Sequence, residues 1–304
     1  MRVWVPYPEL LPQLPDTLTV EVYDGRMEPP PGVEEVEFYV TPYTFAKEPL
    51  RLMAKMPRLQ VVQTLTAGYE HILPYLPTGV TLCNAGRLHD TSTAELAVTL
   101  MLAALRGLPD FIRGQDAREW RHRRYRSLAD RTVLIVGYGG IGAAIERRLA
   151  GFEVAEVLRV ARRPREGVAG LEALPQLLPR ADVVVLSVPL TDQTRHLVDA
   201  DFLARMRDGA LLVNVARGGV VDTDALLAEV ASGRLTAALD VTDPEPPPPD
   251  HPLWSTPGIL LTPHVGGNST AFLPRAHRLI IEQLHRYAAG EPLSYVVVEQ
   301  PSAG

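Results

Sequence analysis

The sequence predicts an α/β chain of two parallel-sheet domains, and three observations carry that prediction. Apolar runs of about four to eight residues alternate with helix-periodic stretches along almost the whole chain, the pattern of successive β-α-β units. One run, TVLIV, leads into the turn Gly137-Tyr138-Gly139-Gly140-Ile141-Gly142 and then into the helical AAIERRLA. Charged residues stand directly after three later runs: Arg217 after ALLVNV, Asp240 in AALDV with Glu245 five residues on, and His264 after GILLTP. Ligands of an open parallel sheet bind at the carboxyl ends of its strands, so these residues are expected to converge on one crevice.

The first domain is read from the runs RVWVP (2–6), TLTVEVY (17–23), VEEVEFYV (33–40), LQVVQTL (59–65) and GVTLC (79–83), with short helical stretches such as PLRLMAKM and YEHILPYL between them. A long apolar-periodic helix follows from about Thr91 to Leu105; Thr91 or Ser92 is expected to cap it, with Glu95 near the third position of a capping box. The second series of strands is TVLIVG, EVLRVA, ADVVVLSV, ALLVNV, TAALDV and GILLTP, and six strands match the count of a complete dinucleotide fold. The last helix is expected from about Thr270 to Ala289 and stops at Gly290, a natural C′ residue. The tail LSYVVV is strand-like and is expected to rejoin the first domain. The Pro-rich stretch 244–252 is read as a stiff loop that places Glu245.

Bulk properties narrow the function. A length of 304 residues gives room for about two domains. Apolar residues at 46% against 22% charged are ordinary for a globular chain. No apolar run reaches the roughly 18 residues of a membrane helix, and the start MRVWVPYPEL lacks a basic segment followed by an apolar one, so neither a membrane nor a secretory route is expected. A net charge of −6 argues against nucleic acid as the main partner. The single cysteine, Cys83, excludes an internal disulfide, fits a reducing, cytoplasmic setting and sits in an apolar run that buries it. Of 30 basic residues, all but Lys47 and Lys55 are arginine.

The glycine turn has the context that its motif requires, a strand before and a helix after. The first glycine makes the tight turn, the second lets the backbone approach a pyrophosphate and the third allows close helix–strand packing, while the helix N-terminus faces the phosphates. Gly137, Gly139, Gly140, Ile141 and Gly142 are therefore read as cofactor-binding. About 20 residues beyond the motif an NAD-binding chain carries an acid for the ribose hydroxyl. Here residues 160–165 read Val-Ala-Arg-Arg-Pro-Arg, with no acid between Glu156 and Glu166. Arg162, Arg163 and Arg165 suit a 2′-phosphate instead, which predicts NADP(H) over NAD(H).

The remaining charges have the chemistry of hydride transfer. A guanidinium at Arg217 can clamp a substrate carboxylate and polarise the neighbouring carbonyl. His264 can exchange a proton with the carbonyl oxygen, and Glu245 can hold the other ring nitrogen. Asp240 is assigned to the nicotinamide amide. The other histidines have no metal-ligand spacing and only one cysteine is present, so no metal site is expected.

With these residues on the page, the chain resembles the D-isomer-specific 2-hydroxyacid dehydrogenase family over nearly its whole length. LLVNVARGGVVD (211–222), LDVTDPEP (239–246) and TPHVGG (262–267) are similar to that family's signature blocks, and VGYGGIG and VPLTDQT (188–194) to its cofactor blocks. The resemblance implies two Rossmann-like domains: a flavodoxin-like substrate domain, 1–92 plus 277–304, and a doubly wound parallel-sheet dinucleotide-binding domain, 93–276. It implies Arg217, Glu245 and His264 as catalytic. It adds Val188, Pro189, Thr194, Val215, Ala216 and Gly266 to the cofactor set, and makes Ala67-Gly68-Tyr69 a loop whose N–H groups hold the substrate carboxylate. It further implies a homodimer built on the helix after the interdomain crossover. ARRPR after the second strand is similar to glyoxylate/hydroxypyruvate reductases, whose reaction reduces a short 2-oxo acid. Glu245 departs from formate dehydrogenases, which carry glutamine there, and Ala67-Gly68-Tyr69-Glu70 departs from the Gly-x-Asp pattern of many members. The segment Arg118–Arg126, five arginines beside Trp120 and Tyr125, is read as a dimer face or solvated surface before an anion site. Two other readings stay open: a nicotinamide-sensing binding protein of the same fold, and NAD-linked oxidation of a D-2-hydroxy acid such as 3-phosphoglycerate.

Overall fold

The structure, a computed structural model, describes residues 1–44 and 46–299. The chain divides into two compact units, Met1–His89 with Thr270–Gly304, and Asp90–Ser269. The boundaries fall three and seven residues before the expected 92/93 and 276/277. The reason for the second is packing: the last helix joins the core of the first unit from its first residue onward.

The first unit opens with β1 (Arg2–Val5), β2 (Thr19–Val22), β3 (Val36–Val40), the short helix α1 (Glu48–Arg51), β4 (Val61–Gln63) and β5 (Thr81–Cys83). The stretch expected to be helical around Leu73 forms only a 3-10 turn, Leu73–Tyr75. Proline at its second residue, with Pro77 and Gly79 close behind, gives it no room to extend.

The second unit contains α2 (Asp90–Leu105), α3 (Leu108–Ala117), β6 (Thr132–Val136), α4 (Gly140–Leu149), β7 (Glu156–Val160), α5 (Leu174–Leu177), β8 (Val183–Leu186), α6 (Ala200–Arg205), β9 (Leu211–Asn214), α7 (Thr223–Ala231), β10 (Thr236–Leu239) and β11 (Ile259–Leu261). Its strands are all parallel, in the order β11-β10-β9-β8-β6-β7. A parallel bridge from Val160 to Ala169 extends the sheet one residue past β7. Residues Val133–Val136 and Val183–Leu186 are fully buried, as strands covered on both faces must be. Each such Val or Leu contributes roughly 1.5–3 kcal/mol by leaving water. One face of the sheet packs on α2 and α4 through Ala94, Ala97, Met101, Ala144 and Ile145. Helix α2 starts at Asp90, so Thr91 and Ser92 lie inside it and not at its cap; the Ser92 hydroxyl pairs with that of Ser269 at 2.7 Å.

The chain then returns to the first unit as α8 (Phe272–Ala289), closed by Gly290 in the left-handed region, and β12 (Val296–Val298). β12 pairs antiparallel with β5, giving the order β12-β5-β4-β3-β1-β2. From Phe38 onward alternation along β3 divides the core: Phe38 and Val40 meet Ala276, Ile280 and Leu284 of α8, while Tyr39 meets Trp4, Met53 and Val62; Val36, before the register shift against β1, also joins the second group. Buried Gln283 fixes α8 by donating to Gln63 Oε1 at 2.7 Å and accepting the Ser294 N–H at 2.8 Å. Cys83 is fully buried, and burial pushes its thiol up to about 11, the behaviour of a packing residue. Among the described residues no helix is long and apolar enough to cross a membrane.

Candidate active site

In the second unit β6 has β7 on one side and β8 on the other, so the connections from β6 and β8 leave the sheet in opposite directions. The ligand crevice of such a sheet opens at that switch point. The turn after β6 is Gly137–Gly140. A Cβ on Gly137 would stand 2.6 Å from the Ser187 carbonyl carbon and from the Val188 nitrogen, and its φ is +108°. Glycine thus lets the loop after β8 cross the turn, and the Ser187 hydroxyl fastens the crossing by donating to the Gly137 carbonyl at 2.8 Å. A Cβ on Gly142 would stand 2.6 Å from the Gly137 carbonyl oxygen, so this glycine seats α4 against β6. Gly139 differs: a Cβ there would meet nothing within 4 Å. The second glycine therefore borders open space at a helix N-terminus, which fits a pyrophosphate laid against the backbone. Of the residues named from the loop after β8, Val188 is buried and Pro189 exposed, while the Thr194 hydroxyl closes the loop by donating to the Pro189 carbonyl at 2.6 Å.

At the end of β7 the three arginines separate. Arg165 donates to the Tyr138 carbonyl at 2.7 Å and lies 5.5 Å from that ring's centre. Arg159, paired with Glu146, lies 5.8 Å from the same ring. Arg162 and Arg163 are exposed and make no ion pair among the described residues. Arg165 is thus committed to the glycine turn, and two guanidinium groups stand open to solvent.

The turn after β9 is built by buried Asn214. Its Oδ1 accepts the Ala216 N–H and its Nδ2 donates to the Arg217 carbonyl, both at 3.0 Å. Val215 and Ala216 are buried, so Arg217 is the first side chain to emerge. A Cβ on Gly218 would overlap the Thr242 carbonyl; glycine lets the Arg217 turn run against the Thr242–Glu245 turn. Arg217 Nη1 donates to the Ala216 carbonyl at 2.7 Å, and its charge acts on Glu245.

Glu245 and His264 meet: Nδ1 of the imidazole lies 2.5 Å from Oε1 of the carboxylate. The Thr242 N–H reaches the other carboxylate oxygen at 3.4 Å. Burial acts to raise the Glu245 carboxyl, but the hydrogen bond and charge of His264, the Thr242 N–H and Arg217 outweigh it and hold it below the usual range. His264 is itself in the left-handed region, φ +52°. Asp240, almost fully buried, holds it there: its carboxylate accepts from the Thr262 hydroxyl (2.6 Å), the Val265 N–H (2.9 Å) and the Gly266 N–H (2.8 Å), and its carbonyl accepts the His264 N–H (2.8 Å). Sequence reasoning gave Asp240 to the nicotinamide amide; in the structure its carboxylate is engaged by the segment that carries His264. An imidazole held at Nδ1 by a carboxylate is a general acid–base device acting through Nε2. Among the described residues no group of three or more His, Cys, Asp or Glu could hold a metal.

In the first unit Ala67, Gly68 and Tyr69 follow β4. The Ala67 carbonyl accepts from Asn84 Nδ2 at 2.8 Å and the Gly68 carbonyl from the Thr66 hydroxyl at 2.7 Å. No hydrogen bond from the N–H groups of residues 67–69 is found among the described residues, a loop able to hold a carboxylate.

Sequence reasoning missed Asn214, Gly218, Ser187 and Thr262, which position the others. Asn214 had a signal, an amide ending an all-apolar run. Gly218 had one as well, the paired glycines after Arg217. Ser187 and Thr262 had none, since their partners, the Gly137 carbonyl and the Asp240 carboxylate, are remote in sequence.

A doubly wound parallel sheet with a glycine turn at its switch point, and an arginine and a carboxylate–imidazole pair beyond its strand ends, defines a dinucleotide-binding domain of the oxidoreductase type. Residues 98–266 match the model of the D-isomer specific 2-hydroxyacid dehydrogenase, NAD binding domain. The chain belongs to that family. It is 34% identical over 248 residues to the glyoxylate reductase/hydroxypyruvate reductase of Homo sapiens, covering 77% of this chain and 76% of that one. It is 32% identical over 261 residues to the D-3-phosphoglycerate dehydrogenase of Methanocaldococcus jannaschii, covering 83% of this chain but 49% of that protein, so it spans about half that relative's length. Among solved structures, the NADPH-dependent glyoxylate/hydroxypyruvate reductase of Sinorhizobium meliloti with NADP and malonate superposes with a TM-score of 0.79 at 28% identity, covering 99% of this chain and 97% of that one.

Proposed function

We propose that the protein reduces short 2-oxo acids, glyoxylate and hydroxypyruvate first among them, to the D-2-hydroxy acids with NADPH in preference to NADH. The observation that carries this reading is the His264–Glu245 pair at 2.5 Å, with Arg217 beside it and the glycine turn in the same sheet. Gly139, Gly140 and Ile141 would hold the cofactor's pyrophosphate against α4, and Arg162 with Arg163 would meet a 2′-phosphate. When bound, the reduced nicotinamide supplies the hydride. Arg217 pairs with the substrate carboxylate and polarises the carbonyl. In the first unit, the loop 67–69 is the segment proposed to offer its N–H groups to a carboxylate. His264, oriented through Nδ1, gives a proton from Nε2 to the carbonyl oxygen, and Glu245 stabilises the imidazolium before that transfer.

NADPH preference draws support from Arg162 and Arg163 and from the reductases named above. Leu108, Phe111, Ile112 and Trp120 are exposed on and after α3, Trp120 to 96%, and support a homodimer through that face. Arg121 is tied to Asp110 and Glu119, and the Tyr125 hydroxyl to Asp110, which favours an ordered protein contact there over an anion site. A cytoplasmic setting rests on the single buried thiol.

The test is loss of nicotinamide absorbance with NADPH and NADH crossed against glyoxylate, hydroxypyruvate, pyruvate, a branched 2-oxo acid and 3-phosphohydroxypyruvate. Fast NADPH oxidation with the two small acids is expected. Cofactor binding without turnover would replace this reading with that of a nicotinamide-sensing protein. Turnover confined to NADH with 3-phosphohydroxypyruvate would replace it with the phosphoglycerate dehydrogenase reaction.

A further inference from the structure

The carbonyl groups of the loop 67–69 are held from one side, which fixes where its N–H groups point. The Ala67 carbonyl accepts from Asn84 Nδ2 at 2.8 Å and the Gly68 carbonyl from the Thr66 hydroxyl at 2.7 Å. Thr66 lies just past β4 and Asn84 just past its neighbour β5, and the Ala85 N–H joins the two segments by donating to the Thr66 carbonyl at 3.0 Å. A trans peptide sets its C=O and the N–H that follows in opposite directions. The cis bonds among the described residues are Asp243–Pro244 and Glu245–Pro246, so both loop peptides are trans. The N–H groups of Gly68 and Tyr69 therefore point away from Asn84 and Thr66. No hydrogen bond from either is found among the described residues. The Tyr69 side chain packs on the half of the core that holds Tyr39 and Met53, so the loop presents backbone. Two successive outward N–H groups suit an acceptor with two oxygens, a carboxylate.

Asn84 is the centre of this arrangement. Its side-chain oxygen accepts the Gly86 N–H at 2.9 Å, its own N–H donates to the Tyr295 carbonyl at 3.0 Å, and its carbonyl accepts from Gln63 Nε2 at 3.0 Å. Gln63 Nε2 also donates to the Thr64 carbonyl at 2.8 Å, and Gln63 Oε1 accepts from Gln283 Nε2 at 2.7 Å. Gln283 gives its second amide hydrogen to the Ser294 carbonyl at 2.9 Å. Both glutamines are fully buried, and each amide hydrogen has an acceptor. A buried polar network satisfied throughout is rigid, and loss of one partner is costly. The Thr66 hydroxyl is braced in turn by that of Thr64 at 2.9 Å.

We infer that Asn84 and Thr66 are positioning residues for the substrate: by drawing the Ala67 and Gly68 carbonyls inward they aim the N–H groups of Gly68 and Tyr69 at its carboxylate. The Gln63–Gln283 pair ties that aim to α8 and to the segment before β12. The inference rests on the reductase reading for the identity of the carboxylate.

The experiment follows glyoxylate reduction with NADPH in the wild type and in Asn84→Asp, Thr66→Val and Thr66→Ser. Asn84→Asp keeps the acceptor for Gly86 but sets an oxygen against the Ala67 carbonyl. Thr66→Val keeps the shape and removes the hydroxyl, which Thr66→Ser retains. The carboxylate is present in ground and transition states alike, so its cradle shows in KM. Asn84→Asp and Thr66→Val are each expected to raise KM about tenfold or more, the scale of a hydrogen bond to a charged group, with kcat little changed. Thr66→Ser should keep the wild-type KM. The Kd for NADPH should not move in any of them, since the glycine turn belongs to the other unit. Val3→Ala, fully buried on β1 and separated from β4 by β3, is the stability control: its melting temperature should fall and its KM stay. If Asn84→Asp fails to fold, the Thr66 pair decides. A wild-type KM in Thr66→Val, or a KM that rises in Val3→Ala as well, overturns the inference while glyoxylate turnover keeps the reductase. If glyoxylate is not turned over, the melting shift that glycolate gives the NADPH-loaded protein decides. A shift lost in Asn84→Asp and Thr66→Val but kept in Thr66→Ser retains the cradle and sinks the reductase; a shift equal in all four proteins, or absent from the wild type, sinks the cradle too.

Discussion

Asp240 accepts the backbone N–H of Gly266 at 2.8 Å, two residues beyond His264 in the same turn. With Val265 N–H and the Thr262 hydroxyl on the same carboxylate, it fixes a histidine whose φ of +52° is unfavourable for a residue with a side chain. Asp240→Asn leaves one acceptor oxygen where three donors converge and turns an amide toward backbone N–H groups. Leaving such donors unsatisfied costs about 1–3 kcal/mol. We predict a fall of about ten- to a hundredfold in kcat/KM, with a lower melting temperature. Normal kcat in a destabilised Asp240→Asn would confine this residue to folding.

The Glu245–His264 pair sets a pH dependence. The Glu245 carboxyl lies below its ordinary value of 4.5, burial being outweighed by His264, Thr242 and Arg217. A carboxyl depressed on folding adds stability that is fully present above its unfolded value and is lost as pH falls through its lower folded value. The melting temperature of Glu245→Gln should therefore lie below that of the wild type above pH 4.5, and the two should converge as the medium becomes more acid. Parallel melting curves from pH 3 to 8, a range of about five units chosen to bracket ordinary carboxyl values, would remove the pair from the stability argument.

Much of this was legible in the chain. Short continuous apolar runs marked the strands of both sheets, because strands covered on both faces must be apolar throughout. Arg217 and His264 stood out because each is a charge just past such a run, and Glu245 because it lies five residues beyond Asp240 in another. Whether Asp240 faces a ligand or a turn was not legible: its partners are backbone N–H groups at 265 and 266, which every residue possesses. The same holds for Arg165, whose acceptor is the Tyr138 carbonyl. The start of α2 was read to within one residue, but its cap was not, because Ser92, a good cap by type, lies inside the helix and meets Ser269, 177 residues away. Local propensity does not report such partners.

The arginines after β7 give a test of cofactor choice. Arg162 and Arg163 are open to solvent, whereas Arg165 is bound to the glycine turn. Replacing both Arg162 and Arg163 by alanine should lower the ratio of kcat/KM for NADPH over NADH by about ten- to a hundredfold, since each charged hydrogen bond contributes about 1.5–3 kcal/mol. Arg165→Ala should weaken both cofactors alike, because it loosens the turn that each would use. A double variant with the wild-type ratio would transfer the choice to other residues.

The second glycine separates folding from binding. A Cβ at Gly137 would strike the Ser187–Val188 backbone, so Gly137→Ala should destabilise the unit. A Cβ at Gly139 meets no protein atom within 4 Å. Gly139→Ala should therefore melt within about 1 kcal/mol of the wild type, the usual scale of a Gly→Ala change at a tolerant site. Its dinucleotide affinity, followed by fluorescence titration with NADPH, should fall at least tenfold, because the methyl group fills the space given to the pyrophosphate. Undiminished affinity would place the phosphates elsewhere.

The exposed face on α3 makes the last prediction. Trp120 is 96% and Ile112 59% exposed, with Phe111 and Leu108 beside them. An isolated exposed apolar residue is ordinary, but four on one short segment are what supports the proposed homodimer. If two copies pair through it, sedimentation should give twice the chain mass of 33.4 kDa. Truncating a central interface tryptophan costs about 2 kcal/mol or more, a weakening of roughly thirtyfold. Trp120→Ser combined with Ile112→Ser should then dissociate at micromolar concentration while keeping its fold, since neither side chain belongs to a buried core. A wild-type protein that sediments as a single chain, or a variant that stays paired, would assign this face to solvent or to another partner.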